Sequence, residues 1–283
     1  MTNWTPYRIR ELLDRLTPRD LRILDDIERF RLLNTDQVRR LQFGEGHVTT
    51  LAATRGAVRV LGRLDQGGYV ARLARRVGGP LRGSTATVWQ LSATGERLQR
   101  ARRGDGSRRR YQEPSPHFTR HTLAISELGV RLTERARRPD IALLELAPEP
   151  ASWRSFTNAL GAVTWLRPDL LAVTADEATE THAWVEVDLG TEHLPTVLRK
   201  CEVYARYYRT GIEQAARGVF PLVVWVVPTE KRAASVRQAI ASERSLDGAL
   251  FAVTTSDDVL EVLAPPDDGP TSDAITNREE ETP

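Results

Sequence analysis

Twice in its first forty residues the chain carries a helix-start signal followed by an apolar stripe that supports only a short helix. In Thr17-Pro18-Arg19-Asp20, Thr17 suits the cap, Pro18 the first helical position, and Asp20 can reach back to the cap. Leu21, Leu24 and Ile27 then recur at helical spacing. Asn34-Thr35-Asp36-Gln37 repeats the signal, with Val38 and Leu41 as its buried side. The spacing predicts a third helix from Thr49 or Thr50 to about Gln66, with Ala57, Val58, Leu61 and Leu64 inward, stopped by Gly67-Gly68. Two strand-like segments follow, Tyr69 to Leu73 and Thr85 to Leu91, joined by the glycine-rich Gly78 to Gly83. A closing helix is expected near Leu98.

Charge sharpens this pattern. Residues 1–112 carry 23 arginines and no lysine against 11 acidic residues, whereas residues 113–283 carry 17 basic against 27 acidic. A basic half joined to an acidic half suggests a polyanion-binding module attached to something else. On the third helix Arg55, Arg59 and Arg63 recur every four residues, with Thr49 and Thr50 at its start. Guanidinium groups so placed can reach phosphates and the guanine edge in a major groove; the plainer reading is an exposed basic face. Arg82 lies at the hairpin tip, and Arg108, Arg109 and Arg110 sit in a basic linker able to track phosphates or to serve as a flexible joint. Three helices, a hairpin and a helix in this order resemble winged-helix domains, and the resemblance implies double-stranded DNA as partner.

The acidic half reads differently. His117 to Arg138 is amphipathic, with Leu123, Leu128 and Leu132 inward. Extended segments follow at Ile141 to Leu146, Arg167 to Thr174 and Ala183 to Leu189. Next comes a helix from Leu194 to about Arg209, whose apolar face is Leu194, Val197, Leu198, Cys201, Tyr204 and Tyr208. Leu222 to Val227 is continuously apolar, as a strand buried on both faces would be. A helix over Lys231 to Ser242 and a strand near Leu250 to Thr254 complete the pattern. Asp169 heads one apolar strand, and Glu186 and Asp188 share a face of the next. Three carboxylates brought together would need a shared cation or a shared proton, and Mg²⁺ is the natural hard ion.

This order resembles the PD-(D/E)XK nuclease fold, whose core is αβββαβ. Pro168-Asp169 matches the first half of that motif and Glu186 the acidic member of the second. Asp188 stands where the family has lysine; Lys200, one of only two lysines, is the replacement from the following helix, and Glu127 stands for a glutamate on the first helix. The resemblance implies Asp169, Glu186 and Asp188 as metal ligands, with Lys200 and Glu127 completing a catalytic set. Mere strand-end caps or ion pairs with Arg167 and Arg199 are the alternative.

The chain also resembles the replication-relaxation proteins of actinobacteria and their mobile elements. The resemblance covers about residues 16–255. Its carriers are Leu16-Thr17-Pro18-Arg19-Asp20 with Ile23-Leu24, His121-Thr122-Leu123-Ala124 with Glu127-Leu128, Arg167-Pro168-Asp169, and Glu186 to Glu192 with Lys200 and Tyr204. It implies work on plasmid or mobile-element DNA in replication or mobilisation, beside replication or relaxosome proteins. Dimerisation on palindromic sites is a habit of winged helices. Two functions stay open: a DNA-binding accessory or regulator that does not cut, and a metal-dependent endonuclease or nickase.

The expected fold class is an α+β winged helix-turn-helix followed by an α/β restriction-endonuclease-like domain. Its parts are 1–103, a basic linker at 104–116, a nuclease-like domain at 117–264 and a disordered tail at 265–283. The single cysteine, Cys201, excludes a disulfide framework and a multi-cysteine zinc site. With no signal-like start and no long apolar run, a cytoplasmic protein is expected. His117 and His121 share a helix face without a supporting acid motif.

Overall fold

The computed structural model describes residues 5–44, 46, 48–73, 87–104, 115–157 and 161–265. Arg82, Arg108, Arg109, Arg110, the hairpin tip, most of the linker and the tail lie outside the described residues.

The first half begins with a helix the sequence reading did not anticipate, α1 (Pro6–Asp14), capped by Thr5. Helix α2 (Pro18–Phe30) has the expected capping box: Thr17 Oγ1 accepts from Asp20 N, and the Asp20 carboxylate accepts from Thr17 N. Strand β1 (Leu33–Asn34) leads into α3 (Thr35–Gln42), whose box pairs Asn34 with Gln37 in the same way. Helix α4 (Thr50–Gln66) is capped by Thr49. Strands β2 (Val70–Arg72) and β3 (Val88–Leu91) pair antiparallel, and β3 also pairs with β1, giving the order β1-β3-β2. Helix α5 (Ala93–Arg103) closes this part.

On α4 the buried residues are Ala53, Ala57, Leu61 and Leu64, one helical stripe, while Val58 is 54 % exposed. The expectation that Val58 points inward is therefore corrected: it sits about 100° around the helix from Ala57, off that stripe.

The second half opens with α6 (Pro116–Arg135) and β4 (Ala142–Pro148). A hairpin the sequence reading missed follows, β5 (Arg154–Thr157) and β6 (Val163–Leu166). Next come β7 (Leu170–Ala175), β8 (Glu180–Val187), α7 (Leu194–Thr210) and a short α8 (Ile212–Arg217). The chain then forms β9 (Leu222–Val227), α9 (Glu230–Ser242), β10 (Phe251–Thr255) and α10 (Val259–Leu263). The main sheet has the order β10-β9-β8-β7-β4, with β7 antiparallel to both of its neighbours, β4 and β8, and with β8, β9 and β10 parallel. The fold is thus mixed α and β.

Strand alternation assigns the two faces of the sheet. Leu170, Ala172, Val185, Val224 and Val226 join an apolar cluster that continues into Leu24, Ile27, Phe30 and Leu61 of the first half. Leu171, Val173, Trp184 and Trp225 face the other way, against Val197, Cys201 and Tyr204 of α7 and Val236 of α9. On α7 the buried aromatic after Tyr204 is Tyr207; Tyr208, expected inside, is 39 % exposed.

Helix α6 is the shared wall between the halves. Ser126 Oγ donates to Leu32 O at 2.8 Å, and Gln37 Nε2 donates to Leu123 O at 3.1 Å. Gln37 therefore works at both ends, its Oε1 capping α3 while its Nε2 ties α3 to α6. Gly129 admits the Phe30 ring, which would lie 2.3 Å from any Cβ placed there. No helix among the described residues is long and apolar enough to cross a membrane.

Candidate functional site

The loop from β6 to β7 and the strand end of β8 bring the acidic residues to one end of the sheet. Asp169 sits one residue before β7, and its N–H donates to Val185 O at 3.0 Å. Its Oδ2 accepts from Val187 N at 2.7 Å, and its Oδ1 meets His121 Nε2 of α6 at 3.0 Å. Burial works to lower the His121 pKa, but the hydrogen bond and charge of Asp169 outweigh it and the net direction is up.

Glu186 lies near the end of β8 and is 2 % exposed. Its Oε1 accepts from Tyr204 Oη at 2.6 Å and its Oε2 from Lys200 Nζ at 2.9 Å. Both donors come from α7, one turn apart, so the helix spacing itself builds the pair. Burial, with the nearby Asp169 charge, pushes the Glu186 carboxyl up to about 7, against the pull of Lys200 and Tyr204. Burial likewise drives the Tyr204 hydroxyl well up. Lys200 also reaches Glu192 Oε1 at 2.9 Å, and the two carboxylates overcome its burial and hold it charged.

Asp188 is turned elsewhere. Its Oδ2 accepts from Arg232 Nε of α9 at 2.7 Å and its Oδ1 from Gly190 N at 2.7 Å. Arg232 also donates to Glu192 O at 2.5 Å. Gly190, at φ 83°, makes the turn this arrangement needs, since the left-handed region favours glycine. Asp188 thus staples the loop that carries Glu192, which in turn holds Lys200.

Glu127 is not at this site. It pairs with Arg40 at 2.5 Å and accepts from Gln37 Nε2 at 3.1 Å, on the side of α6 turned toward α3. The residue that α6 sends to Asp169 is His121, one to two turns earlier. The sequence reading takes Glu127 from the nuclease-fold resemblance and leaves His121 without a supporting motif, because spacing along α6 does not tell which neighbour covers which face.

These contacts bear on the expected Mg²⁺. The donor set does not fit a shared ion: Asp169 is committed to His121 and a backbone N–H, Glu186 to Lys200 and Tyr204, and Asp188 to Arg232. Each carboxylate already faces a donor or cation of the protein itself. Among the described residues there is no group of three or more His, Cys, Asp or Glu side chains that could hold a metal ion.

A cleft of about 250 Å³ opens beside Glu186. It is lined by the buried Glu186, Tyr204 and Leu166, by Lys200 and Val203, and by the exposed Trp165 and Arg167.

In the first half, Arg55 and Arg59 are exposed on α4 and make no ion pair among the described residues. Leu51 and Val58 stand beside them, 60 % and 54 % exposed. Arg63, the third of the row, is also exposed, and its guanidinium reaches back to the wholly buried Asp20 at 2.6 Å. The pairing has a physical cause: a carboxylate at 0 % exposure needs a cation, and Arg63 supplies it. Thr49 accepts from Ala52 N as the α4 cap, and Thr50 begins the helix.

The family model described as replication-relaxation matches residues 24–223. The chain belongs to the replication-relaxation family. The match covers most of both halves, from α2 to the start of β9, and ties the protein to a replication-related function. Comparison of this replication-relaxation chain with curated proteins and with solved structures gives no match.

Proposed function

We propose that this replication-relaxation protein binds double-stranded DNA through a winged helix formed by α2 to β3, with α4 as the helix that enters the major groove. The observation that carries the reading is the pair Arg55 and Arg59, exposed and free of ion pairs among the described residues, on the third helix ahead of an antiparallel strand pair. Leu51 and Val58 beside them suit apolar contact with base edges such as the thymine methyl. Plasmid or mobile-element DNA is the substrate this reading favours.

The test is fluorescence anisotropy with a labelled duplex. Arg55→Ala/Arg59→Ala lowers duplex affinity by roughly ten-fold or more, given about 1–3 kcal/mol for each good arginine contact. Unchanged affinity would remove α4 from the interface.

On this reading the second half, whose strand order resembles the restriction-endonuclease-like core, does not cut. One observation favours the competing nickase reading: Lys200 of α7 delivers its ammonium to Glu186, as a displaced motif lysine would. Against it stands the pairing of all three carboxylates within the protein. Supercoiled plasmid incubated with the protein and Mg²⁺ or Mn²⁺ therefore stays intact, and millimolar divalent ions leave the melting temperature unmoved. Nicking lost in Asp169→Ala would establish the competing reading.

A further inference from the structure

The cleft between β6 and α7 has the chemistry of a nucleotide site distinct from α4. Its exposed part is unusual for a solvent-facing hairpin: Trp165 is 51 % exposed and Val163 beside it 66 %. Arg167 is exposed and makes no ion pair among the described residues; its guanidinium lies 5.0 Å from the Trp153 ring and 6.0 Å from that of Trp165. Trp153 and Trp165 meet edge to face at 6.5 Å, which fixes the platform.

The polar lining supplies directional groups. An ammonium has three donors, and Lys200 commits two, to Glu186 and Glu192. A carboxylate has about four acceptor positions, and Glu186 fills two. A donor and acceptor positions therefore remain in a cleft lined also by aromatic and apolar residues and an exposed cation. A planar ring with hydrogen-bonding edge atoms and an attached anion satisfies all of these at once. In a duplex that edge is engaged by its partner base, so only an unpaired nucleotide presents it.

We propose that this cleft binds one unpaired nucleotide of DNA, its base against Trp165 and its phosphate on Arg167. The inference rests on the reading that the protein acts on DNA, but it uses different residues from those that would hold the duplex. Stacking on an aromatic side chain tolerates any base, so the site takes single-stranded DNA with little sequence preference.

The experiment measures anisotropy of labelled oligothymidylate and of labelled duplex with four proteins: wild type, Trp165→Ala, Trp165→Phe and Arg55→Ala/Arg59→Ala. Trp165→Ala loses single-strand affinity on the order of ten-fold, Trp165→Phe keeps most of it, and both bind duplex as wild type does. The α4 variant shows the opposite pattern. Tryptophan emission quenched by oligothymidylate in wild type is quenched less in Trp165→Phe. Single-strand binding that survives Trp165→Ala unchanged, or is absent from wild type, overturns the inference while leaving the duplex reading intact. Loss of duplex binding alone, with Trp165-dependent single-strand binding retained, overturns the duplex reading and leaves this one standing.

Discussion

At the scale of single residues, Glu186 is the most consequential group. Burial raises its pKa from the ordinary carboxylate range to about 7, so the neutral acid is favoured in the folded state. A group raised on folding contributes stability fully below its unfolded pKa and loses it as pH rises through the folded value. The melting temperature therefore falls between about pH 5 and 8, and Glu186→Gln, which mimics the neutral acid, removes that part of the fall. The expected difference between the two proteins grows by on the order of 2 kcal/mol across the window. Asp26, raised by burial to about 6, adds to the slope of both proteins and cancels in the comparison. The His121–Asp169 pair slopes the same way, since the His121 pKa is raised. Parallel pH profiles for wild type and Glu186→Gln would contradict this account. At this scale the sequence was partly legible. Pro168-Asp169, Glu186 and Lys200 stood out as chemistry, and Lys200 does meet Glu186. His121 was passed over and Glu127 preferred, because the covering partners, Asp169 and Arg40, lie far away in the chain. Arg232, the partner that turns Asp188 aside, is 44 residues distant and left no local signal.

At the scale of elements, α6 decides how the halves meet. Its Gly129 lets Phe30 of α2 approach where any Cβ would clash with ring carbon atoms. Gly129→Ala gains up to about 1 kcal/mol of helix propensity but forces that contact apart. Overpacking typically costs about 1–3 kcal/mol, so chemical denaturation should show a net loss of roughly 1 kcal/mol. A stabilised variant would mean that α2 and α6 are not packed as described. Elements with their own start signals were readable: both capping boxes occur as the sequence implied, because cap chemistry is local. The β5–β6 hairpin was not. Each strand has four residues, too few for alternation to stand out, and its pairing is settled by packing beneath α7. Val58 shows the same limit in a helix, where an apolar residue one position off the stripe faces solvent.

At the scale of the whole molecule, the uneven charge has two uses. Part of the basic excess of the first half is neutralised by the second: Arg31 pairs with Glu149, and Arg40 with Glu127 and Glu134. What remains outward and without an ion pair on α4, among the described residues, is Arg55 and Arg59; Arg63 is also exposed but pairs with Asp20. The boundary drawn in the sequence between the halves is crossed by one continuous apolar cluster, so each half buries side chains of the other. Composition could reveal the asymmetry but not which arginines face inward, because that depends on contacts between distant segments. The proposed contact between duplex DNA and the outward Arg55 and Arg59 is read most directly from the salt dependence of duplex binding. Each phosphate neutralised contributes about one unit to the slope of log affinity against log salt. A steep slope is expected for wild type, shallower by about 2 in Arg55→Ala/Arg59→Ala. Identical slopes and affinities for the two proteins would contradict it.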